Sequence, residues 1–108
     1  MTQYRSSDEE DREVVKVDED LEELVPRFLA SKRRDVDSIS QALRREDYEA
    51  VRIIAHKMTG SGGGYGFERI SEIGRFLERA ARERDPTEIK RWSDELAAYL
   101  RRVVVIYE

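Results

Sequence analysis

The chain has 108 residues, 39% hydrophobic and 41% charged, and carries a net charge of -4 from 20 Lys+Arg against 24 Asp+Glu. That length suits one domain with a modest core, and the acidic balance argues against a general nucleic-acid binder, which carries a basic patch. Cysteine is absent, which excludes disulfides and thiolate metal sites, and the longest apolar run, Val103 to Tyr107, is far too short to span a membrane.

Residues 1–17 are polar and acidic and read as a flexible N-terminal tail, leaving 18–108 for a folded domain. Val14, Val15 and Val17 either pin the end of that tail or form a short extended piece. No signal-peptide pattern opens the chain, so the expected location is cytoplasmic. From Asp18 the periodicity is helical. Leu21, Leu24, Val25, Phe28 and Leu29 recur at helix spacing, and the series continues through Val36, Ile39 and Leu43. Pro26 falls inside this stretch, where it opens a new first turn or marks a kink between a short helix and a long one. Lys32 takes an apolar slot, which predicts a snorkelling stem at the bundle edge.

Asp47 reads as the N-cap of a helix carrying Val51, Ile54 and Met58. Four of the five residues from Gly60 to Gly64 are glycine and end that helix. A further helix starts at Gly66-Phe67 and turns Phe67, Ile70, Gly74, Leu77 and Ala81 to one side. Asp85-Pro86-Thr87-Glu88 is the strongest local signal: N-cap, proline in the first turn, and glutamate three residues after the cap. The last helix carries Ile89, Trp92, Leu96, Leu100 and Val103, and weakens toward Tyr107, where β-formers accumulate. Short connections between long amphipathic helices predict an all-α fold: an antiparallel up-and-down four-helix bundle with a short extra N-terminal helix.

The one histidine, His56, lies on the second long helix. Val51, Ile54, Ala55 and Met58 share the core stripe, and His56 points about 150° from it, toward water. Gly60 lies one turn on, on the same outer face, although a glycine there costs about 1 kcal/mol relative to alanine. Five of the 6 glycines fall within seven residues, at Gly60, Gly62, Gly63, Gly64 and Gly66. Ile53 is an apolar residue near the same outer face. A partner that must approach the imidazole closely would account for the bare position 60.

Other chemistries fit poorly. The glycines lack the Gly-Lys-Ser/Thr ending of a P-loop and the spacing of a dinucleotide fingerprint. One histidine without cysteine makes a poor zinc site, and a carboxylate-bridged metal site needs an inward histidine. Hydrolase triads need a positioned acid and nucleophile. An exposed, unpaired imidazole suits a nucleophile that accepts a group from a partner and hands it on.

The segment Ala55-His56-Lys57-Met58-Thr59-Gly60-Ser61-Gly62-Gly63-Gly64-Tyr65-Gly66 resembles the histidine-containing phosphotransfer (HPt) domain family. The resemblance runs on through Phe67-Glu68-Arg69-Ile70-Ser71-Glu72-Ile73-Gly74 and, more loosely, over residues 20–105. It implies a four-helix bundle in which His56 takes a phosphoryl group from the aspartate of a receiver domain and passes it on or back. Gly60 is then the glycine that admits the receiver, and Gly66 matches the glycine closing the segment. Many members carry lysine three residues after the histidine; here that position is Thr59, and Lys57 follows His56 directly. Lys57, Arg52 and Thr59 are the candidates for supporting the phosphoryl group, with ordinary surface charge the alternative for Lys57 and Arg52.

Leu21, Leu24, Ile53 and Gly60 are the expected docking patch. The resemblance implies no cofactor of the chain's own, with magnesium supplied by the receiver. It implies a phosphotransfer intermediate without autokinase activity. The expected partner is a response-regulator receiver domain or a hybrid histidine kinase, with no nucleic acid or membrane, and the chain acting as a monomer. Two other readings stay open: a non-phosphorylated helical adaptor or inhibitor of a receiver or kinase, and a plain structural bundle.

Overall fold

The computed structural model describes residues 12–108. Four helices build it: α1 (Val25–Arg44), α2 (Tyr48–Gly62), α3 (Glu68–Arg82) and α4 (Pro86–Arg102). Strands β1 (Glu13–Val17) and β2 (Val103–Tyr107) flank them, with 3₁₀ turns at Glu19–Leu21 and Gly63–Tyr65. The helices form the expected four-helix bundle. Ile39, Val51, Ala55, Met58, Phe67, Ile70, Ile73, Leu77, Ile89 and Leu96 lie at its centre without solvent exposure.

Two helix starts follow the local signals. The Asp47 carboxylate accepts the Ala50 N–H at 3.0 Å, and that of Asp85 accepts the Glu88 N–H at 3.1 Å. Each cap follows a residue in the left-handed region, Glu46 at φ 55° and Arg84 at φ 52°. The Asp47 and Asp85 amides donate back to Ala42 and Ala80, so the two reversals are built alike. Asp85→Ala removes one cap and is expected to cost about 1 kcal/mol, read as a lower urea midpoint at unchanged slope.

Pro26 opens the first turn of α1. Its missing N–H is harmless there, whereas inside a continuing helix it would break the ladder. The extra N-terminal helix therefore shrinks to the 3₁₀ turn Glu19–Leu21, capped by Asp18 on the Asp20 N–H at 2.8 Å. Lys32 is buried rather than snorkelling to the edge. Its ammonium pairs with Asp35 at 2.7 Å and lies 5.4 Å from the Phe28 ring centroid.

The chain ends of the described segment depart from expectation. Residues 13–17, read as the close of the tail, form β1; residues 1–11 of that tail lie outside the described residues. The last helix stops at Arg102, and β2 pairs parallel with β1 in the register Glu13↔Val103 to Val17↔Tyr107. Valine and isoleucine favour the pleated form once a partner strand satisfies their backbone. That partner is distant in sequence, which is why local pattern could not assign it. Val15, Val17, Val103, Val105 and Tyr107 pack on the bundle, while Val14 and Ile106 face water.

Tyr99 is fully buried, and that burial pushes its hydroxyl up to about 12. Trp92 is half-buried and stacks on Phe76 at 4.3 Å. Among the described residues no helix is long and apolar enough to cross a membrane.

Candidate functional site

α2 and α3 meet over two glycines. A Cβ on Gly74 would lie 2.8 Å from the Thr59 amide nitrogen and 3.1 Å from the Ala55 carbonyl. On the opposing helix, a Cβ on Gly62 would lie 2.7 Å from the Ser71 amide nitrogen. Only bare backbones approach this closely. Gly62, expected in a loop, is thus the buried last residue of α2. Gly63 and Gly64 continue into the 3₁₀ turn, and Gly66 closes it at φ 91°. Ser71 fastens the junction: its hydroxyl donates to the Thr59 carbonyl at 2.9 Å and accepts the Gly63 N–H at 2.8 Å. Phe28 stacks on Tyr65 at 4.4 Å and on Phe67 at 5.6 Å, tying the glycine turn to α1.

The close seam brings α3 alongside His56. The imidazole is 71% exposed, but it is not unpaired: Nδ1 stands 3.1 Å from Oε2 of Glu78. The Glu78 side chain is only 11% exposed, and the same oxygen accepts from Arg82 at 3.0 Å. An ionised carboxylate only accepts, so this contact places the proton of a neutral ring on Nδ1 and leaves the Nε2 lone pair free. Sequence reasoning found no positioned acid and missed Glu78. Its signal was faint: a glutamate one turn beyond Gly74, on the edge of the core stripe.

The remaining candidates divide. Gly60 has nothing within 4 Å of where its Cβ would stand, so no contact within the described residues requires glycine there. Ile53 is 42% exposed. Leu24 is exposed at the start of α1, and Leu21 is half-buried against the core. Arg52 is held by Glu49, with Nε and a terminal nitrogen donating at 3.0 and 2.5 Å. That hydrogen bond draws the Glu49 carboxyl below, and the Arg52 guanidinium above, its ordinary range. Lys57 is exposed. Thr59 turns into the seam instead of toward His56: its hydroxyl donates to the Ala55 carbonyl at 2.9 Å and would abut a Cβ on Gly74. That bond occupies its one proton.

A family model described as "Hpt domain" matches residues 23–103, which takes in all four helices and the His56–Glu78 pair. The chain belongs to the Hpt domain family. No curated protein and no solved structure matches it. Membership implies a part in histidine phosphotransfer. Within this Hpt domain the mid-helix His56 is the one imidazole, and the glycine seam brings the carboxylate of Glu78 to it.

Proposed function

We propose that the protein is a phosphocarrier in a multistep His–Asp phosphorelay and that His56 is its phosphoacceptor. The observation that carries this reading is the pairing of Nδ1 with buried Glu78 on an otherwise exposed ring, beside a glycine that no contact among the described residues requires. The Nε2 lone pair attacks phosphorus of a receiver's aspartyl phosphate. The N–P bond forms as the P–O bond to the carboxyl breaks, and the aspartate leaves with the electron pair. The ring becomes cationic, its proton stays on Nδ1, and Glu78 balances that charge. Orientation and charge balance are thus supplied before the partner arrives. Magnesium belongs to the receiver in this scheme.

Gly60 serves approach. Gly60→Gln is expected to slow transfer from a phosphorylated receiver by at least about tenfold, while the melting temperature stays level or rises because glycine is the poorer helix former. Stopped-flow transfer assays and thermal melts check the two halves. Unchanged transfer kinetics would remove the explanation for this glycine.

The reading itself is tested with a panel of labelled, phosphorylated receiver domains. Label that moves to the chain, is lost in acid and survives base marks phosphohistidine. Stable receiver binding without label would instead identify a non-phosphorylated adaptor.

A further inference from the structure

We propose that Arg75, on the neighbouring helix, supplies the cation that holds the phosphoryl group on His56, in place of a cation on α2. This rests on the phosphocarrier reading and deepens it.

The charge count creates the need. Once phosphorylated through Nε2, the ring carries about one positive charge and the phosphoryl group about two negative. Glu78 adds one negative charge 3.1 Å from Nδ1, and Arg82 on the same carboxylate offsets it. About one negative charge is left over, on phosphoryl oxygens that face water and the incoming partner. A cation donating to those oxygens would stabilise the loaded state.

The nearby cations are mostly committed. Arg52 is tied to Glu49, Arg82 to Glu78, and Arg79 to Glu83 at 3.6 Å. Thr59 offers no charge and has spent its hydroxyl in the seam. Lys57 has no ion-pair partner among the described residues, but it sits about 100° round α2 from His56, while position 59, facing α3, lies on the other side of the histidine.

Arg75 is exposed and makes no hydrogen bond or ion pair among the described residues. Its position follows from the contacts on either side. Ser71, Arg75, Glu78 and Arg82 are spaced four, three and four apart on α3, so they form one stripe along its flank. Ser71 touches the Thr59 carbonyl and the Gly63 amide, and Glu78 touches His56. Arg75 stands between those two anchors, on the same flank, at the level of the turn from His56 to Gly60. An arginine side chain is long enough to reach from that flank to a phosphoryl group carried on the exposed ring. A guanidinium presents paired donors to phosphoryl oxygens, a geometry that suits a phosphate better than a single ammonium does.

The test uses the full 108-residue chain and phosphoramidate, a small phosphoryl donor that needs no docking surface. Phosphorylation of His56 is followed by intact mass, and the phosphohistidine by its ³¹P resonance. Arg75→Ala is expected to lower the phosphorylation rate roughly five- to tenfold and to move the ³¹P shift, with Arg75→Lys restoring most of the rate. The loss should shrink as salt is raised. Arg101→Ala, which removes one positive charge from α4, controls for net charge, and thermal melts control for folding. A wild-type rate and ³¹P shift in Arg75→Ala would overturn the assignment. So would a loss confined to Lys57→Ala. If the wild type takes label at His56 from neither phosphoramidate nor any receiver, the phosphocarrier reading fails before Arg75 is at issue.

Discussion

His56→Gln is expected to abolish phosphoryl uptake from receivers while leaving the bundle folded. The side chain is 71% exposed, and among the described residues its polar contact is with Glu78. The glutamine amide still offers N–H donors to that carboxylate, so Glu78 and Arg82 keep a satisfied environment. Stability should change by no more than about 0.5 kcal/mol, as for other exposed positions. Chemistry is another matter. An amide nitrogen delocalises its lone pair into the carbonyl, so the variant lacks the ring lone pair that the proposed transfer uses. Transfer should fall below detection in gel and mass assays, with the melting curve unchanged. Acid-labile label persisting on the variant would mean that His56 is not the acceptor.

Gly74→Val is expected to destabilise the fold by about 3 kcal/mol, the upper end of ordinary overpacking costs, and to uncouple the site as well. The first added atom already meets the Thr59 amide nitrogen at 2.8 Å and the Ala55 carbonyl at 3.1 Å. Both belong to helix backbone and cannot rotate away, so relief requires α2 and α3 to separate. Valine does gain helix propensity over glycine, but only a few tenths of a kcal/mol. Separation would stretch the Ser71–Thr59 and His56–Glu78 contacts, which span the same seam. The urea midpoint should drop sharply, and phosphorylation by phosphoramidate should slow even under conditions where the variant remains folded. An unfolding free energy within about 0.5 kcal/mol of wild type, the usual scatter for neutral changes, would show that the helices part cheaply there.

Much of the site could be read from local pattern. The core stripe of Val51, Ala55 and Met58 assigns His56 to the outer face, because a helix repeats every 3.6 residues whatever it packs against. The caps Asp47 and Asp85 are equally local, since side chain and amide lie three residues apart. Gly66 likewise ends its segment through its own φ of 91°. Thr59 and Glu78 were different. Both lie on the edge of their helix's apolar stripe, where a small rotation decides between water, seam and partner. Spacing gives the angle around a helix, but not how close the neighbouring helix comes, and that distance makes the choice.

By itself, then, the chain's order of residues determined the four helices, most of their limits and the outward histidine, each a consequence of interactions within a few residues. Tertiary structure alone decided three things. It paired β1 with β2, because strand partners distant in sequence leave no local signal. It turned Thr59 inward, because Gly74 of another helix leaves room there. And it set Glu78 on the Nδ1 side of His56, because the distance between two helices depends on what both of them lack at the crossing: side chains at Gly62 and Gly74.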